Sequence, residues 1–223
     1  MGKEIKFIFF DLQCLLVISL LCICLYYNKN LKSSKIYHIK YFAFIAFIDV
    51  IFFFNSIHFN SVFFFSNQLN NYSLLINFSF FSILFINQIR SRIKLYLYLF
   101  FLIMASKIVQ LLFFSNDYDI SKSSTSLFSI NHFGLLIISV TYMYYMVKEI
   151  GDNNLLKDPI FNFAIGVLLC SIINFPLVYF LQEIYKLNLD IFSNNLILNS
   201  IPCIGYVFMY FFIIKGVLCS VRI

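Results

Sequence analysis

The stretch LYLYLFFLIMASKIVQLLFF, residues 95–114, runs for 20 residues with a single charged side chain, Lys107. At about 1.5 Å per residue a helix of this length covers roughly 30 Å, the thickness of a bilayer's hydrocarbon core. Because it is apolar all round, such a helix has no polar face to turn toward water, and it reads as a membrane span. Working outward with the same window finds six more, at 7–27, 40–58, 72–89, 127–147, 160–181 and 196–217. The sequence therefore predicts an all-α polytopic membrane protein, one domain over residues 1–223 built as a seven-transmembrane-helix bundle.

The whole composition agrees with that stretch. Of 223 residues, 61% are apolar and 12% charged, where a soluble domain has about half and about a quarter. With 31 Phe and no Trp the chain is compositionally biased, so a single Phe carries little information. The net charge of +6 does not imply nucleic acid, because the 16 Lys and Arg are dispersed between apolar runs rather than interleaved with aromatics in a basic face. The lipid bilayer is the partner that composition demands. Cys14, Cys22, Cys24, Cys170, Cys203 and Cys219 lie inside or at the ends of apolar runs and read as small buried hydrophobes. Cys22-x-Cys24 has neither zinc-site spacing nor a nearby His. No metal and no cofactor is expected.

Topology follows from the connections, expected at 28–35, 66–71, 90–94, 115–126, 148–159 and 182–195, each too short for a folded domain. Cytoplasmic loops carry the excess of Lys and Arg. One alternate set of connections holds Lys29, Lys32, Lys35, Lys40, Arg90, Arg92, Lys94, Lys148, Lys157, Lys215 and Arg222; the other holds Lys3, Lys6, Lys122 and Lys186. The imbalance places the N-terminus outside and the C-terminus in the cytoplasm, in a multi-pass protein of the cell inner membrane. Asp11 interrupts the first apolar run and no A-x-A site follows it, so that run reads as a helix rather than a cleaved signal. Tyr26, Tyr27, Tyr37, Tyr41, Tyr72, Tyr144, Tyr145 and Tyr179 fall near the span ends, where an aromatic ring with a polar tip is at home. Residues 61–65 are expected along the outer interface. Asp158-Pro159 marks the start of the sixth helix, since Asp caps free N–H groups and Pro at the first position lacks an N–H that would go unused.

Polar groups at membrane depth are the candidates for function. Asp49 lies about 13 Å from the inner end of the second helix, and Lys107 about 10 Å below the outer end of the fourth, with Gln110 on nearly the same face. Pairing of Asp49 with Lys107 is expected if their helices are neighbours. His132 and Asn174 fall about 8 to 10 Å below the outer surface. Pro176 and Pro202 are expected as helix breaks that free the carbonyls of Ile172 and Leu198. Together with Ser171, Asn199 and Ser200 they would shape an outward-facing polar pocket of Asp49, Lys107, Gln110, His132, Asn174 and Asn199. The same residues also fit a structural role, with Lys107 reaching outward to the interface and the amides packing helices together.

Catalysis finds no support. The chain has no G-x-S-x-G, no H-E-x-x-H and no pair of acids on one helix face within the membrane, so a non-enzymatic protein is expected. A retinal site is not expected, because Lys215 comes near the cytoplasmic end of the last helix and the third helix has no acid to serve as counter-ion.

From Ser79 onward four features stand in order: the basic turn Arg90-Ser91-Arg92-Ile93-Lys94, the segment Tyr144-Tyr145-Met146-Val147-Lys148-Glu149, the run Asn154-Leu155-Leu156-Lys157-Asp158-Pro159-Ile160-Phe161, and a last helix ending soon after Lys215. This order resembles a group of small uncharacterised seven-helix bacterial membrane proteins, similar to the membrane modules of sensor histidine kinases. The resemblance covers the third to seventh helices loosely and about 20 residues closely. It implies signal reception. Departures are Phe161-Asn162 where an aromatic pair follows the Asp-Pro step in the group, Asn87 and Gln88 where an acid stands in the third helix, and the lack of a kinase module after Ile223. The expectation is a sensor-like or accessory module that signals through a partner, such as a histidine kinase or another membrane signalling protein. The alternative is a small transporter or permease with its substrate site in the outer half of the bundle, which internal symmetry between helix triplets would favour; the sequence displays none.

Overall fold

The computed structural model describes residues 2–28, 40–47, 63–114, 120–150, 155–187 and 201–222. Among these residues the chain is all-helical, with no strand. Its helices are α1 (Gly2–Asn28), α2 (residues 40–47), α3 (Phe63–Gln88), α4 (Ile93–Phe114), α5 (Ile120–Ile150), α6 (Pro159–Leu187) and α7 (Ile201–Arg222), with a single 3-10 turn at Leu155–Lys157 leading into α6. Four carry stretches long and apolar enough to cross a membrane: Ile93–Leu112, Ser126–Glu149, Pro159–Pro176 and Cys203–Ser220. Asp11–Tyr27 and Leu74–Gln88 are shorter apolar helices. This is the composition of a membrane protein.

Several helices outrun the apolar windows that locate them. α3 starts at Phe63, so the polar residues 66–71 are helical rather than a connection, and 63–65 are helical too. α5 begins at Ile120 and α6 continues to Leu187, turning much of two further expected loops into helix. Hydropathy records where hydrocarbon gives way to water, but backbone hydrogen bonds can continue beyond that boundary wherever polar side chains are solvated. At 31 residues α5 extends to about 46 Å, well past the hydrocarbon core.

The entry to α6 is built as its residues dictate. Asp158 Oδ1 accepts the Phe161 N–H at 2.8 Å, and Pro159 occupies the first helical position. Asn162, one turn in, donates its side-chain amide to the carbonyls of Leu156 (2.9 Å) and Asp158 (2.8 Å), tying the 3-10 turn to the helix.

Neighbouring helices pack in a sequence of contacts: α1 on α7, α7 on α6, α6 on α5, α5 on α3 and α4, and α3 on α4. The α6–α7 contact is the most extensive. Gly166 makes it possible, since a Cβ there would stand 2.9 Å from the Met209 carbonyl oxygen; helices without a hydrophobic drive between them pack through such close backbone approach. The α2 segment lies against α3 and α6, with Tyr41 stacked on Phe80 at 3.4 Å, its hydroxyl donating to the Ile76 carbonyl at 3.3 Å, and Phe42 edge-on to Phe163 at 4.8 Å. Phe85 stacks on Tyr142 at 5.2 Å to join α3 and α5. Each such ring pair adds about 0.5–1.5 kcal/mol beyond the area it buries. α4 is the peripheral span: 11% of its apolar window is buried, against 50% in α6.

Candidate functional site

Sequence placed polar groups of three consecutive helices in one layer, and the structure buries two of them, His132 and Asn174. His132 on α5 is buried, its ring 4.3 Å from Phe128 and 6.3 Å from Tyr206 of α7, centre to centre. Neither ring nitrogen has a hydrogen-bond partner among the described residues. Asn174 on α6 is also buried. Its amide nitrogen donates to Cys170 Sγ at 3.2 Å, while its side-chain oxygen is unpartnered.

Asn174 fits there because α7 presents Gly205, where a Cβ would come within 2.7 Å of the amide nitrogen. Phe133 of α5 meets Phe175 of α6 at 5.3 Å, so the two helices are level at that step. In an antiparallel pair His132 and Asn174 then differ in depth by about 3 Å. Asn131 Oδ1 and Ser171 Oγ, buried and unpartnered, lie one and three residues from them.

The other expected members stand apart. Lys107 is exposed on α4, and its ammonium donates to Gln110 Oε1 at 3.1 Å, so the two form a local pair on the outward face. Asp49 and Asn199 lie outside the described residues, as do Leu198 and Ser200. Pro176 sits inside α6, which runs unbroken from Pro159 to Leu187; it withholds one N–H from the Ile172 carbonyl without ending the helix. Pro202 is the second residue of α7. The expected break there turns on the Leu198 carbonyl, which lies outside the described residues.

Three buried groups were not singled out from sequence. Ser82 Oγ, Tyr142 Oη and Asn162 Oδ1 are unpartnered oxygens in the other half of the bundle. Asn131 was missed as well, although it adjoins His132. No signal in the sequence marks these positions, because helices that are apolar almost all round do not reveal which face they turn inward.

This buried set is chemically an imidazole, two amides and a hydroxyl. Such a set can recognise a small polar group through hydrogen bonds. Among the described residues no carboxylate joins it, and no group of three His, Cys, Asp or Glu could hold a metal ion. No protein-family model matches this chain, and comparisons with curated proteins and with solved structures return no match.

Proposed function

We propose that the chain is a non-enzymatic seven-span module of the inner membrane, N-terminus outside and C-terminus cytoplasmic, that receives a signal in its outer half and passes it to a partner protein such as a histidine kinase. The observation that carries this reading is the buried set of His132, Asn131, Asn174 and Ser171, whose unpartnered atoms lie at membrane depth. Polar groups there are costly, and their retention marks a site by default. A polar group arriving from outside would satisfy them and bias the packing of α5, α6 and α7 against one another. In this reading the output leaves through helix contacts with that partner.

The transporter reading draws less support. Substrate sites of transporters are typically framed by discontinuous helices, and α6 continues through Pro176. A membrane two-hybrid survey against the histidine kinases of the source cell separates the two. It should return a partner whose signal changes on His132→Leu. Solute flux by the purified chain alone in proteoliposomes, abolished by His132→Leu, would overturn the sensor reading in favour of transport.

A further inference from the structure

At the opposite end of the bundle from His132, the α3–α4 turn and the C-terminal end of α5 enclose a cleft of about 90 Å³. Its walls combine Ile89, Ser91 and Ile93 with Tyr144, Tyr145, Lys148 and Glu149. The turn is fixed in place because the Arg90 backbone N–H donates to Tyr145 Oη at 3.1 Å. Three apolar stretches end here together: Leu74–Gln88 stops one residue short of the cleft, Ile93–Leu112 begins in it, and Ser126–Glu149 finishes in it. The cleft therefore sits where hydrocarbon gives way to headgroups.

Its chemistry is unequal. Lys148 and one carboxylate, Glu149, line the wall, and the exposed Arg90 and Arg92 flank the lining residue Ser91 in the chain. Lys94 is directed elsewhere, over the Tyr98 ring at 6.0 Å. The Ser91 hydroxyl oxygen is buried without a hydrogen-bond partner. Cations, a spare hydroxyl and two tyrosines above an apolar wall suit a phosphate that carries acyl chains, because the apolar wall adds nothing for a free anion. Basic pockets between helices at the cytoplasmic side commonly take such headgroups.

We infer that this cleft binds the phosphate headgroup of an anionic lipid, with Lys148, Arg90 and Arg92 supplying charge, Ser91 a hydrogen bond, and Ile89 and Ile93 the surface for the first part of an acyl chain. The inference rests on the reading of these helices as membrane spans, and it gives the basic turn a role beyond fixing orientation.

The test is native mass spectrometry of the full chain released from detergent with equal amounts of phosphatidylcholine and phosphatidylglycerol. One phosphatidylglycerol should be retained per chain. Lys148→Gln and Arg92→Gln should each weaken retention about fivefold, the equivalent of about 1 kcal/mol per juxtamembrane cation. Glu149→Gln should strengthen it, an effect that a damaged fold does not produce. Lys215→Gln, at the same end of the bundle but on α7, should leave retention unchanged. Equal retention of the two lipids, equal loss on Lys215→Gln, or weakening on Glu149→Gln overturns the inference. Displacement by soluble glycerol phosphate as effective as by lipid would assign the site to a free phosphate and overturn the lipid assignment. Extraction of the chain from membranes by alkaline carbonate would instead refute the span reading itself.

Discussion

Replacing Gly166 with Ala adds one methyl group at the narrowest part of the α6–α7 contact. The new Cβ would stand 2.9 Å from the Met209 carbonyl oxygen, 2.9 Å from Phe212 Cβ and 3.2 Å from Met209 Cα. Non-bonded carbons settle at about 3.5–4.0 Å, so the closer carbon contact is short by about half an ångström or more. All three atoms belong to the backbone or its first side-chain carbon, and no change of rotamer moves them. α6 and α7 have to separate. Overpacking of this kind costs about 1–3 kcal/mol, and the better helix propensity of Ala over Gly offsets about 1 kcal/mol of it. A net loss of about 1 kcal/mol is expected from the middle of that range. Titration of the purified protein with SDS in mixed micelles measures it, followed by near-UV circular dichroism of the 15 Tyr and 31 Phe. A midpoint raised in Gly166→Ala would refute the close approach of these two helices.

Two further outcomes are expected. Asp158→Ala removes the acceptor for the Phe161 N–H and should lower stability in the same titration by about 0.5–2 kcal/mol, with Asp158→Asn retaining most of it. A reporter active only outside the cytoplasm should be silent when fused after Ile223 and strong when fused after Asp119, which lies outside the described residues; the reverse pattern would end the N-out assignment.

The candidate site was legible only along the helix axis. Counting 1.5 Å per residue from the ends of apolar runs gives His132 and Asn174 similar expected depths, because rise along a helix is fixed. Rotation about the helix axis was not legible. Lys107 and Gln110 lie at comparable depth, yet α4 turns them outward, and in a chain whose spans are apolar on every face nothing in the sequence opposes or favours that rotation. Pro176 was expected as a break, but its missing N–H costs one hydrogen bond and α6 runs on to Leu187.

What the sequence determined alone is the solvent and the element type. Runs such as 95–114 cannot remain in water, and inside a bilayer a lone segment satisfies its backbone only as a helix. Asp158-Pro159 likewise set a helix start by local hydrogen bonding. Tertiary structure decided which faces meet. Phe42, Phe80, Phe85 and Phe163 are indistinguishable in sequence from the Phe residues left exposed, and became core because α2, α3, α5 and α6 converge on them. Gly166 and Gly205 acquired meaning from what stands opposite, a Met209 carbonyl in one case and the Asn174 amide in the other. The physical reason is that burial from water is a property each residue carries along the chain, whereas packing between helices in an apolar medium depends on shape, and shape exists only once the neighbours are in place.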